Sequence, residues 1–246
     1  MHKSLPLAVL ATALTFAAPS QAGSITGTVT FDNLANSPLA TNMPLVGHND
    51  EFYQSGYWID GVSNQAGAQA GDLVGAIVNG SDLGNTCWSV ACPVNNSTNF
   101  YTALNDGFLA IGAENGRGFR VGSFNASFVG AGGDIFPNTT MILRMQGNRV
   151  GGGTVTQSFN LPGQTNGEFN FGSYAGSGVF ANTDFSSIFI YGLACNSAGS
   201  CSAFSTDKGQ FALDNLALTQ IPEPGSLALI ALGLAGMGLM ARRRSA

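Results

Sequence analysis

Phe119-Arg120-Val121-Gly122-Ser123-Phe124-Asn125-Ala126-Ser127-Phe128 alternates apolar and polar residues with the period of two that marks a half-buried β-strand. The alternation reverses parity in the middle. Phe119 and Val121 lie on one side, Phe124, Ala126 and Phe128 on the other, which predicts a bulge or bend near Gly122. Residues 210–218 repeat the pattern: Phe211 and Leu213 point one way, Leu216 and Leu218 the other, with a bulge predicted at Asp214-Asn215. Outward from these two segments, short runs rich in Val, Ile, Phe and Thr recur at 24–32, 73–78, 108–112, 140–146, 154–160, 168–171 and 187–191. Clusters of Gly, Asn, Ser, Asp and Pro separate them, and no helical stripe interrupts 23–219. About nine strands with Gly-rich turns predict an all-β domain, a two-sheet sandwich of jelly-roll type, with an up-and-down barrel as the second choice.

The composition narrows the classes of function. Charged residues make up 9% of the 246, against about a quarter in an ordinary domain, while glycine reaches 34 residues. Three of the nine basic residues crowd at the C-terminus as Arg242, Arg243 and Arg244, so 23–221 holds 13 acidic side chains against 5 basic ones. An acidic body lacks the basic face needed to displace counterions from phosphates, which excludes a nucleic-acid partner. With 17 Phe the chain is too apolar for disorder, and its middle has no long apolar run of the kind a polytopic membrane protein needs.

The two ends read as addresses. His2 and Lys3, an apolar run over 5–18 and the small-x-small triplet Ser20-Gln21-Ala22 form a secretory signal, with cleavage expected after Ala22. The domain spans 23–219, and 220–226 forms a rigid extended linker around Ile221-Pro222-Glu223-Pro224-Gly225, because each proline fixes its own φ and biases the residue before it. Residues 227–241 carry no charge and would span about 22 Å as a helix, short for a ~30 Å hydrocarbon core. Residues 242–246 then form a basic tail that would stay cytoplasmic and leave the body outside.

Pro-Glu-Pro, a short apolar helix and a terminal arginine cluster resemble the PEP-CTERM sorting signal of bacterial exported proteins. The resemblance implies recognition by an exosortase, a membrane cysteine protease or transpeptidase of exopolysaccharide-producing Gram-negative bacteria. It assigns Pro222, Glu223 and Pro224 to the recognition site and Arg242 to Arg244 to the stop. Gln210-Phe211-Ala212-Leu213-Asp214 is similar to the Gln-Phe-x-x-Asp motif of one subgroup of these proteins, in which Gln210, Phe211 and Asp214 are the motif residues. The resemblance implies a precursor anchored in the inner membrane and a product at the cell surface or outside the cell.

Four cysteines fall into two local pairs. Outside the cytoplasm disulfides are the default; three connectivities are open, with Cys87–Cys92 and Cys195–Cys201 favoured as loop clamps. Zinc is disfavoured by the spacing and by the lack of nearby histidine. The tripeptide Asp-Asn-Leu occurs at Asp32 and again at Asp214, near the first and last strands. The two carboxylates are candidate calcium ligands, although Asp-Asn equally serves turns and bulges, and no cofactor is otherwise indicated. His48 is the one histidine of the mature chain, and no Gly-x-Ser-x-Gly elbow accompanies it, so a secreted hydrolase is the least favoured reading.

Aromatics offer the case for ligand binding. Tyr53, Tyr57 and Trp58 cluster, Trp88 lies inside the first cysteine pair and Tyr101 follows it. Tyr57, Trp58 and Trp88 on loops are candidate stacking platforms for sugar rings. The expectation is therefore an exported, non-enzymatic surface or matrix protein, with a carbohydrate-binding module for exopolysaccharide as the alternative.

Overall fold

The computed structural model describes residues 24–33, 45–87, 90–131, 141–196, 198–204 and 208–222. Eighteen strands occur among them. The first half contributes β1 Ile25–Val29, β2 Leu45–Gly47, β3 Asp50–Gln54, β4 Tyr57–Ser63, β5 Leu73–Asn79, β6 Val90–Ala91, β7 Asn99–Ala103, β8 Gly107–Ala113 and β9 Phe119–Val121. The second contributes β10 Ser123–Phe128, β11 Gly130–Ala131, β12 Met141–Arg149, β13 Thr154–Leu161, β14 Gly172–Ala175, β15 Phe185–Cys195, β16 Cys201–Ser202, β17 Phe211–Asp214 and β18 Leu216–Gln220. Two single helical turns, α1 Leu83–Thr86 and α2 Gly178–Ala181, complete the set.

All named strands pair antiparallel, in a ten-stranded sheet, a six-stranded sheet and the small β6–β11 ribbon. The two large sheets enclose one core, so the architecture is the expected sandwich rather than a barrel. Contacts separate Ser24–Ile221 from a second unit made of the chain ends, of which only Pro222 is described. The calls on 1–22, Glu223, Pro224, 227–241 and Arg242 to Arg244 lie outside the described residues, as does Trp88. Among the described residues no helix is long and apolar enough to cross a membrane.

The two parity reversals have a common cause. β9 belongs to the ten-stranded sheet and β10 to the six-stranded one; β18 and β17 divide the same way. A strand passing from one sheet to the facing sheet must turn over to keep its apolar side on the shared core. Phe119, Val121, Phe124, Ala126 and Phe128 accordingly all enter that core, as do Phe211, Leu213, Leu216 and Leu218. The change of sheet sits at Gly122 and at Asn215, whose φ of 51° lies in the left-handed region. The expected bulges are thus sheet crossings. β1 pairs with β18 from Ile25↔Gln220 to Val29↔Leu216, joining the first and last strands.

Other expectations change. Residues 168–171 form only isolated bridges, and the strand begins at Gly172. Phe169 is instead buried against Phe128 with ring centroids 5.0 Å apart, and Phe171 packs on Phe100 at 5.2 Å. β2, β3, β4 and β7 arise in segments with no expected strand.

Glycines make room for rings and for close backbone approach. A Cβ on Gly75 would fall 2.4 Å from the Tyr101 hydroxyl, and one on Gly147 would fall 2.2 Å from the Phe185 ring. On Gly107 it would fall 2.1 Å from the Val74 carbonyl oxygen, where backbone must shift. Gly107→Ala is therefore expected to lower unfolding free energy by about 1–3 kcal/mol. Gly84, with open space around it, should accept Ala within about 1 kcal/mol. Urea denaturation of the two variants measures the contrast.

Candidate functional site

The Gln-Phe-x-x-Asp segment lies at the crossing between sheets and is buried throughout: Gln210, Phe211 and Asp214 are each 5% exposed or less. Phe211 packs its ring 6.1 Å from Tyr101 in the core. The main-chain carbonyl of Gln210 accepts the Val129 N–H at 3.1 Å. Asp214 accepts the Asn215 N–H at 2.7 Å on Oδ1. Its Oδ2 accepts Asn96 Nδ2 at 2.7 Å, Asn215 Nδ2 at 2.9 Å and the Thr98 hydroxyl at 3.4 Å. Burial pushes the Asp214 carboxyl up to about 6, the donors from Asn96 and from the Asn215 backbone pull it down, and the nearby Asp32 charge adds to the rise.

The structure brings the two candidate calcium ligands to one segment, because Asp32 Oδ1 accepts the Asn99 N–H at 2.8 Å. Both carboxylates receive N–H donors there rather than standing in a ring of open oxygens. Among the described residues no group of three or more His, Cys, Asp and Glu side chains is placed to hold a metal. Asp214-Asn215 serves the crossing between the sheets, and Asp32 ties the end of β1 to Asn99.

Both local disulfides form, Cys87–Cys92 and Cys195–Cys201. The first fastens a loop over the outward face of the six-stranded sheet, and the second bridges the paired ends of β15 and β16. Cys92 packs with Val78, Phe100, Val129 and Ala212, beside Leu83 and Phe171, in a second small core outside the six-stranded sheet. Beyond Cys201, Phe204 lies 5.7 Å from Phe108 and 5.1 Å from Tyr191, ring to ring, on the outward face of the ten-stranded sheet.

Of the candidate platforms, Tyr57 is corrected: it lies on β4, fully buried, with its ring 5.5 Å from Phe119. Burial pushes its hydroxyl up to about 12, an effect that the nearby Gln220 side chain opposes. Tyr101 is likewise a core residue of β7. They face inward because their strands alternate Tyr57, Ile59 and Tyr101, Ala103 into the sandwich. Trp58, between Tyr57 and Ile59, points outward and is half-buried, and Tyr53 opposite it on β3 is exposed. His48 accepts the Ser63 N–H on Nδ1 at 3.1 Å, which holds the β2–β3 turn against the end of β4.

A disulfide-clamped β-sandwich of this kind, leading straight from its last strand into a Pro-Glu-Pro segment, is the body of an exported protein. The chain carries the PEP-CTERM protein-sorting motif over residues 220–244, which marks an exported protein, transiently anchored in the membrane and processed by an exosortase. No curated protein matches the chain. Among solved structures, a DUF4465 family protein from Bacteroides caccae is 11% identical at a TM-score of 0.49, covering 80% of this chain and 99% of its own. The enzymatically active domain of tailspike protein 4 from bacteriophage CBA120 is 13% identical at 0.31, over 68% of this chain and 20% of its own. TmCBM61 in complex with β-1,4-galactotriose is 10% identical at 0.31, over 67% and 88%. Likenesses of this size carry no conclusion about what this chain does.

The raised Asp214 carboxyl has a consequence for stability. The folded state keeps this proton up to about pH 6, whereas the unfolded chain releases it near the ordinary value of 3.8. Stability from this group is therefore full below pH 4 and declines as pH rises toward and through 6. Thermal unfolding between pH 4.5 and 7 should show Tm falling by a few degrees, and Asp214→Asn should flatten that slope.

Proposed function

We propose that the chain is a non-enzymatic surface or extracellular-matrix protein of a cell that makes exopolysaccharide. In this reading residues 1–22 direct export and are removed. Residues 227–241 then hold the precursor in the inner membrane with Arg242 to Arg244 on the cytoplasmic side. The exosortase acts near Pro222, Glu223 and Pro224 and releases the sandwich outward. The reading rests on one observation above others: the sorting motif begins at Gln220, the last residue of β18. Body and signal meet without a flexible spacer.

Further features agree with a life outside the cell. Both disulfides suit an oxidising compartment. The surface is solvated mainly by Asn, Ser, Thr and Gln rather than by charge, and suits a matrix crowded with neutral polymer.

Intact mass of the protein recovered from cells with and without the exosortase tests the proposal. The expected result is loss of everything beyond 222–224 only in the strain that has the enzyme, together with any added mass from covalent attachment. A chain ending at Ala246 in both strains would show a plain tail anchor and overturn the sorting route.

A further inference from the structure

The outward face of the ten-stranded sheet carries two adjacent rows of side chains across β12, β15, β8 and β4. In one, Gln146, Phe189, Ala110 and Asp60 stand in direct cross-strand register. In the other, Asn148 pairs with Ser187 and Trp58 with Gly112, and the Ile188↔Ile111 pair brings Ser187 beside Gly112. The middle of the face carries only the small Ala110 and Gly112, both buried, with the Trp58 indole lying over Gly112. Half-buried rings flank these two residues, Phe189 on one side and Trp58 on the other, and present the surface there. The Trp58 indole leans in, its edge so close to Gly112 that a Cβ there would fall 2.4 Å from Cζ2.

Hydrogen-bonding groups line both ends. Asn148 donates to the Ser187 hydroxyl at 3.0 Å, and Gln146 accepts the Tyr191 hydroxyl at 3.4 Å, which fixes their orientation and leaves further valences open. At the other end Asp60 holds its Oδ1 buried and without a donor. Fixed rings beside preset amide and hydroxyl groups match a ligand with C–H faces and many hydroxyls. Charge narrows the class further. The two rows contain no cation, Glu51 stands directly opposite Asp60, and Arg144 in the next row is turned to Ser158 at 3.1 Å. Carboxylates at one end repel a polyanion, so the complementary polymer is uncharged. Four strands at about 4.8 Å spacing give a track of about 15 Å, room for a short run of sugar rings.

We propose that this face, between Trp58 and Phe189, binds a neutral polysaccharide lying across the strands. The inference concerns the body alone and stands apart from the sorting of the chain.

The full chain, purified oxidised in mild detergent, is run in native gels containing β-glucan, galactan or galactomannan, with polygalacturonate as the anionic control. The expected result is retardation by at least one neutral polymer and none by polygalacturonate. Trp58→Ala and Gln146→Ala should each weaken binding about tenfold or more with the fold retained by circular dichroism. If Trp58→Ala unfolds, Gln146→Ala and Phe189→Leu decide the matter. Retardation by none of the neutral polymers, binding that the folded variants keep, or stronger retention by polygalacturonate would each overturn the proposal.

Discussion

One hydrogen bond, from the Gly122 N–H to the Ala217 carbonyl at 2.8 Å, sits where two neighbouring strands leave the larger sheet for the smaller. On one side of it β9 and β18 pair through Val121↔Leu218; on the other β10 and β17 pair through Asn125↔Asp214. The pair crosses together, so each sheet is closed by a ladder that continues into the other. Such a crossing must set one residue in a strained conformation and bury polar groups at the bend. Asn215 takes the left-handed backbone, and the Asp214 carboxylate accepts its N–H. Three side-chain donors satisfy what remains of the carboxylate. A buried carboxylate is costly without partners and specific with them. Within the Gln-Phe-x-x-Asp segment Asp214 therefore serves the bend and Phe211 fills the core.

The unusual composition follows from the same core. Rings are the largest of the buried side chains, with Phe31, Phe52, Phe119, Phe124, Phe128, Phe185 and Phe211 fully enclosed. Flat, rigid side chains of that size need relief in the opposite strand, and glycine provides it: Gly75 for Tyr101, Gly147 for Phe185, Gly130 for Phe169 and Gly112 for Trp58. The abundant glycines thus include packing partners as well as turn residues. With so few charges, the Arg120–Asp184 contact at 2.6 Å is an exposed pair of small energetic weight, and stability rests on packing and on the two disulfides.

Much of this was legible in the chain, in a physically instructive way. Parity located both crossings to within a residue, because every apolar side chain there must meet one core; it could not tell a bulge from a change of sheet, since both turn the strand over. Asn99-Phe100-Tyr101-Thr102-Ala103 hid its strand for the opposite reason. The loop clamped by Cys87–Cys92 covers the outward face of β7, so both faces are apolar and no alternation survives. Around Tyr57 an outward indole between two inward residues masked the period. Residues 168–171 misled because Phe169 and Phe171 alternate as plugs into two different cores rather than as ladder members. Candidate ligand residues fared by the same rule: only the direction of a strand separates Tyr57 in the core from Trp58 on the surface.

The order of the strands also bears on when the body can fold. β18 lies between β1 and β9, and β17 lies between β10 and β7, so the last two strands occupy interior positions in both sheets. Neither sheet can close before residues 211–220 are available, and β1 must wait for a partner nearly the whole domain away. Long-range pairing of this kind is slow and leaves strand edges exposed until it completes. In an exported chain the sorting segment follows Gln220 at once, with Ile221 still bonded to Gly118 at 2.8 Å. Completion of the sandwich and arrival of the sorting signal are thereby nearly simultaneous. An exosortase that acted before the last strands had paired would release a body with open edges.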